Sequence, residues 1–183
     1  MTSPHRHAEA VPPLPPINFR PVEAADFPTM TAWLAEPHVR RFYQKQPVAL
    51  AEVAEEYGPA VRGEEPTLCH LALAEGRPFG YLQSYLNRSY PEWVEILGRD
   101  DGISVDLYIG DPARLRGGYG RAMLRAYVDD VCFVRWPEEM RVYIAHETTN
   151  APALACSLAA GFKPLGTFLE DGLETRLLAY DRS

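Results

Sequence analysis

Between Ile103 and Cys132 the chain changes its period, and that change limits the possible folds more than any other stretch. "ISVDLYIG" (Ile103–Gly110) is built from alternating positions with β-branched and aromatic residues, which predicts a strand. Met123, Leu124, Tyr127, Val128, Val131 and Cys132 then recur at helical spacing. Between the two lies "DPARLRGGYGR", with Gly117, Gly118 and Gly120 set among Arg114, Arg116 and Arg121. A strand handed to a helix through so short a turn predicts a crossover onto one face of a sheet. Glycines let a backbone take positive φ and let a ligand approach it closely. The first N–H groups of the following helix lack acceptors and carry the positive end of its dipole. The turn therefore has two readings: a tight turn with arginines facing water, or an anion seat suited to a diphosphate. Two nucleotide-binding loop patterns are matched only weakly. A P-loop needs Lys-Ser/Thr after its last glycine, where Arg121-Ala122 stands. A dinucleotide loop needs a further glycine where Met123 stands, and no acidic residue ends a second strand to hold a ribose.

The rest of the chain organises around this unit. Ile17–Val22 predicts a first strand, and Asp26 opens a helix carrying Phe27, Met30, Trp33 and Leu34. "EPHVRRFYQKQPV" reads as a loop or broken helix. Leu50, Val53, Tyr57 and Val61 form a helical stripe that Gly58-Pro59 is expected to interrupt. Thr67–Ala74 and Pro78–Leu86, joined by "EGR", read as a hairpin. Asn87 to Gly102 reads as a polar, aromatic-bearing loop. Met140–Ala145 is a strand and Asn150–Phe162 a helix ended by Gly161. Two last strands, "KPLGTFL" and "ETRLLAYD", flank a turn at Asp171-Gly172. The order β-α-α-β-β-β-α-β-α-β-β predicts a mixed sheet with helices on its faces, in the α/β (α+β) class. Residues 1–16 contain Pro12, Pro13, Pro15 and Pro16 and read as a flexible Pro-rich tail ahead of one domain over 17–183. His5 and His7 in that tail are expected to face water rather than a metal.

Composition narrows the partners. A formal charge of -7 argues against nucleic acid and permits a cationic small molecule held in an acidic cleft. The alternative is that the acidity only aids solubility. No apolar run is long enough to span a bilayer. Cys69, Cys132 and Cys156 form no C-x-x-C pair and lie in apolar surroundings, as expected of free thiols in the cytoplasm. No secretory h-region is seen, no metal site is expected, and either a monomer or a homodimer is compatible with the sequence.

Read together, "SVDLYIGDPARLRGGYGRAMLRAYVDDVCF" and "VYIAHETTNAPALACSLAAGFKPLGTF" resemble the acetyl-CoA-binding core of the GNAT N-acetyltransferase superfamily. The pieces "WLAEPHVRRFY", "LAEVAEEYGPAV", "GRPFGYLQSY" and "GISVDLYIGD" bring the likeness nearest to the aminoglycoside 6'-N-acetyltransferases. The resemblance implies a mostly antiparallel central sheet of about seven strands flanked by helices. It implies acetyl-CoA as co-substrate. The pyrophosphate would lie on Arg114, Arg116, Gly117, Gly118, Tyr119, Gly120 and Arg121, and the pantetheine beside Asn150 and Ala153. A backbone N–H of Tyr108 or Ile109 would bind the oxyanion. Asp106 would be the base acting on a primary amine of an aminoglycoside, the 6'-amine. The chain departs from the family at three places: Leu115 for the usual Gln or Arg, Ser157 for the tyrosine general acid, and Ala145 for an aspartate, with Glu147 the nearest carboxylate.

The residues themselves support this chemistry while leaving alternatives. Asp106 should face away from Val105 and Leu107. A carboxylate there needs a partner: either a substrate ammonium whose proton it accepts, or an arginine salt bridge. Asn150 can cap the helix at Ala151, bond pantetheine, or both. Ser157 either donates to the departing sulfur or bonds its own helix backbone. Phe42, Tyr43, Tyr90, Glu92, Trp93, Glu147 and Asp171 are candidate contacts for a hydroxylated polycation. Two rivals remain: an acyltransferase for another amine (a siderophore lysine side chain, a polyamine or a peptide), and a non-catalytic acyl-CoA or drug-binding protein.

Overall fold

The structure, a computed structural model, describes residues 13–182. Most of the expected N-terminal tail, with His5 and His7, lies outside these residues. Seven strands form one sheet: β1 (Ile17–Pro21), β2 (Leu68–Ala74), β3 (Arg77–Leu86), β4 (Ile103–Ile109), β5 (Arg141–Glu147), β6 (Lys163–Glu170) and β7 (Leu173–Asp181). Their order is β1-β2-β3-β4-β5-β7-β6, and every pairing is antiparallel except β4 with β5. This is the mixed, mostly antiparallel sheet expected.

Period two divides the sheet into two faces. One face carries Leu71, Tyr81 and Tyr108 and is covered by α1 (Phe27–Leu34), the short α2 (Pro37–Arg40) and α3 (Leu50–Val61). Farther along the same face, Trp93 of α4 (Pro91–Leu97) packs with Tyr143 and Ala145. The other face carries Leu82, Val105, Val142 and Ile144. Against it lie Met123, Leu124 and Tyr127 of α5 (Tyr119–Tyr127), which runs on through a π-helical turn and α6 (Phe133–Arg135), and then α7 (Ala151–Ala159). Two glycines set how closely the layers approach. A Cβ on Gly80 would lie 2.9 Å from Met123 Sδ, and one on Gly110 would fall inside the Trp33 indole.

Three expectations change. Helix α3 is not interrupted at Gly58-Pro59 but runs through both. Burial of Val53 and Tyr57 before the pair and packing of Ala60 and Val61 after it outweigh the lost hydrogen bond and ring clash, a cost of about 3 kcal/mol. The segment from Asn87 to Gly102 is not a loop throughout, because Pro91 starts α4 and Leu97 buries its far end. Strand β5 continues past Ala145 to Glu147, paired to Thr175 of β7, so His146 and Glu147 sit on a strand. Of the cysteines, Cys69 and Cys132 are buried, whereas Cys156 is half-buried.

Candidate active site

The sheet parts in the middle. The parallel pairing of β4 and β5 is confined to Ile103 with Val142 and Ser104 with Tyr143, and beyond it Val105 to Ile109 have no partner on that side. The Asn87 N–H donates to Gly102 O (3.1 Å), and the Gly110 N–H donates to Phe79 O (2.8 Å). Backbone groups of alternate residues point the same way, so the even positions of β4 face β3 and Val105, Leu107 and Ile109 face the gap. The expected oxyanion donors are thereby separated. Tyr108 N–H is turned to β3, and Ile109 N–H is turned to the gap. His38 Nε2 on α2 lies 2.8 Å from Ile109 O and ties that helix to the same strand end.

Asp106 faces away from Val105 and Leu107, opposite Gln83 in register. Gln83 Nε2 donates to Asp106 Oδ2 (2.9 Å). Tyr81 Oη donates to Gln83 Oε1 (2.8 Å), which decides that the amide turns its N–H toward the carboxylate. No ion pair among the described residues includes Asp106, so the arginine salt bridge is absent. Burial pushes the Asp106 carboxyl above the ordinary carboxylate range, and the Gln83 hydrogen bond draws it part of the way back.

Around Asp106 the site is aromatic and acidic. Tyr43 packs edge-on to Tyr108 with ring centroids 4.7 Å apart. Phe42 is half-buried beneath the Arg41 guanidinium. Glu170, at the end of β6, is raised by burial and then by the charges of Asp106, Asp171 and Glu147. A cavity of ≈ 250 Å³ opens beside Gln83. Its carboxylates are Glu56, Glu65 and Glu92, and Tyr85, Tyr90 and Trp93 give it aromatic walls. Tyr90, Glu92 and Trp93 thus come together at the start of α4 rather than on a loop. Trp93 Nε1 donates to Ser104 Oγ (3.0 Å), which seats the indole on β4. Glu147 is not free: Lys45 Nζ reaches it at 2.5 Å from the segment between α2 and α3. Asp171 lies exposed in the β6–β7 turn with φ 49°.

On the opposite face the glycine turn enters α5. Gly118 is its N-cap with φ 82° and ψ -2°, and the N–H groups of Tyr119, Gly120 and Arg121 open the helix. In the described residues a Cβ on Gly118 would meet only Leu14 Cδ1, at 3.7 Å, so the space above it is open. Gly117 borders the Tyr119 ring. A Cβ on Gly120 would lie 3.1 Å from Cys156 Sγ and 3.4 Å from Ile109 Cδ1. The turn, the end of β4 and α7 therefore converge. Arg114 does not point to the helix start alone: it bonds Tyr119 Oη and pairs with Glu75 at 3.2 Å. Arg116 (φ 60°) and Arg121 are exposed and enter no ion pair among the described residues. Leu115 is also exposed.

Asn150 caps α7: its Oδ1 accepts from Ala153 N–H at 3.3 Å, and Nδ2 remains for another acceptor. Ser157 is buried, and among the described residues its hydroxyl bonds no group of its own helix. Its Oγ lies 2.8 Å from His146 Nε2. Burial pushes the His146 imidazole down to about 4, which keeps it neutral. Sequence reasoning missed His146, Glu170, Glu56 and Glu65. Only the longer β5 and β6 strands carried any signal for the first two, and α3 facing α4 is a tertiary fact.

A sheet opened between two parallel strands, with a glycine turn feeding a helix on one face and a carboxylate on the other, is an arrangement suited to acyl transfer from a thioester. Residues 23–169 match the acetyltransferase (GNAT) domain, and the chain belongs to that family. It is similar to the aminoglycoside N(6')-acetyltransferase type 1 of Klebsiella pneumoniae and that of Serratia marcescens. Each is 27% identical over 156 residues, covering 82% of this chain and 76% of the relative. Among solved structures, AAC(6')-Ib in complex with paromomycin and acetyl-CoA superposes with a TM-score of 0.82 at 25% identity, covering 91% of this chain and 93% of that one. Spermidine N-acetyltransferase from Vibrio cholerae shares the fold, with a TM-score of 0.71 at 13% identity over 91% of this chain and 95% of that one.

Proposed function

We propose that this enzyme transfers the acetyl group of acetyl-CoA to a primary amine of an aminoglycoside, the 6'-amine, by direct attack with Asp106 as general base. The observation that carries this reading is the half-buried Asp106 carboxylate, with no cation paired to it among the described residues, beside a cavity of carboxylates and aromatic rings. The likeness to aminoglycoside acetyltransferases supports the acceptor, and the likeness to an acetyl-CoA complex supports the donor.

In this mechanism the diphosphate rests on the N–H groups that open α5, beside Arg116 and Arg121. The thioester lies in the gap between β4 and β5, where Ile109 N–H donates to the developing oxyanion. Glu56, Glu65, Glu92 and Glu170 attract the polycation, and Tyr85, Tyr90 and Trp93 cover its sugar faces. Asp106, ionised, accepts a proton from the ammonium, directly or through water. The freed lone pair forms the N–C bond, the C–S bond breaks with its electron pair left on sulfur, and the second nitrogen proton passes to water as the amide forms.

The test is CoA release from acetyl-CoA with kanamycin, tobramycin, spermidine and lysine. Turnover with the aminoglycosides above that with spermidine or lysine is expected. No turnover above background with any aminoglycoside would sink the proposal.

A further inference from the structure

Among the described residues the buried hydroxyl of Ser157 has one protein partner, and that partner is on another element. Serine inside a helix ordinarily bonds a carbonyl one turn back. Here α7 turns Ser157 toward β5, and His146 reaches it with Nε2 at 2.8 Å. His146 projects on the same face of β5 as Val142 and Ile144, the face that α7 covers. Next to Ser157 on α7 is Cys156, whose Sγ lies by Gly120 and Ile109 at the junction of the glycine turn with the gap. Ser157 is thus the next residue on α7 after the one that borders this junction.

A hydroxyl carries one proton, and the imidazole decides where that proton goes. An imidazole with its proton on Nδ1 would accept from Ser157 and turn the hydroxyl proton away from the gap. An imidazole with its proton on Nε2 donates to Oγ and leaves the hydroxyl proton free. Only the second arrangement offers a donor to an anion leaving through the gap.

We propose that His146 is the positioning residue for Ser157: its Nε2–H donates to Ser157 Oγ and aims the hydroxyl proton at the sulfur of the departing CoA. This rests on the acetyl-transfer reading above. No proton is lost from the pair. One ammonium proton passes to Asp106 before attack, the second leaves the nitrogen to water as the amide forms, the C–S electron pair stays on sulfur, and the thiolate accepts a hydrogen bond from Ser157 O–H. The neutral imidazole suits a fixed donor and not an acid that must titrate each cycle.

The experiment measures acetyl-CoA-dependent turnover for Ser157→Ala, His146→Ala, the double variant and His146→Gln, with thermal melts to verify folding. A hydrogen bond to a charged group is worth about 1.5–3 kcal/mol, which converts to a loss of roughly 10- to 150-fold in kcat. Each alanine variant should lose kcat by that order while KM for acetyl-CoA moves less than about twofold. The double variant should lose no more than the worse single variant, because the two side chains act as one unit. His146→Gln, whose amide N–H can reach Oγ, should recover most of the rate. Multiplying losses in the double variant, or His146→Ala turning over like the unaltered enzyme, overturns the positioning role and leaves acetyl transfer standing. Failure of His146→Gln to recover activity while it folds also overturns the role. Absence of CoA release by the unaltered enzyme with every amine overturns both. Should His146→Ala not fold, the comparison of His146→Gln with Ser157→Ala decides.

Discussion

Asp106→Asn separates catalysis from stability at one atom. Asparagine keeps the size of the side chain and an oxygen to accept from Gln83 Nε2, 2.9 Å away. What it removes is the charge and the basicity. A positioned base is worth roughly 10²–10⁴-fold, or about 3–5 kcal/mol of barrier. Glu170 shares the same region, and its charge and that of Asp106 are near enough to act on one another. Partial substitution by Glu170 places the expected loss in kcat toward the lower part of that range, roughly 10²–10³-fold. Stability should move the other way. The folded carboxyl is raised above its ordinary 3.8, so between that value and the folded one the unfolded chain ionises first. Ionised Asp106 thus costs stability that is absent below the ordinary carboxylate pKa and complete above the folded one. The variant should melt higher than the unaltered enzyme near neutral pH, and the difference should shrink on acidification. Thiol-detected CoA release, calorimetric titration of acetyl-CoA and thermal melts at two pH values measure all of this. A kcat within threefold of the unaltered enzyme, or a lower melting temperature at neutral pH, would refute the reasoning.

Three other perturbations test separate parts of the structure. His70 and His146 both fall from 6.5 to about 4 on burial, so each contributes stability that is lost as pH falls from 6.5 through about 4. The loss should be on the order of 3 kcal/mol per imidazole, read by urea unfolding at steps through that window, and a flat profile would contradict it. Gly118→Val should weaken acetyl-CoA binding about tenfold, because φ 82° costs a side-chain-bearing residue about 1–2 kcal/mol and the Cβ enters the open space over the turn. Unaltered affinity by calorimetry would remove the diphosphate seat from this turn. Lys45→Ala should lower KM for a polyamine substrate by about two- to fivefold, because it frees Glu147 from a half-exposed ion pair worth about 1 kcal/mol or less. A rise in KM would instead mean that Lys45 serves mainly to hold the Tyr43 segment in place.

Much of this protein was determined along the chain. Period two put Asp106 opposite Val105 and Leu107, and the structure keeps it there. Asn150 caps its helix, and Asp171-Gly172 turns with φ of 49° and 78°, as their residue types require. The strand, glycine turn and helix at Ile103–Cys132 follow the change of period. These properties depend on neighbours a few residues away, and side-chain alternation or backbone freedom suffices to decide them.

Tertiary structure decided the rest. Whether Tyr108 or Ile109 offers its N–H to the gap depends on which flank of β4 is paired, and that is set by β3. The gap itself exists because β5 leaves β4 after two residue pairs while remaining fully paired with β7. Folding of the sheet brings the end of β6 near enough to β4 for the charge of Asp106 to act on Glu170, although 63 intervening residues separate the two positions (106 and 170) in the chain. The same long-range pairing extends β5 to His146, within reach of Ser157, and brings Glu147 to Lys45. Local periodicity says which side of a strand a residue occupies. Which strand lies beside it is settled by the burial of a shared core among distant segments, and the residues brought together at the site inherit that choice.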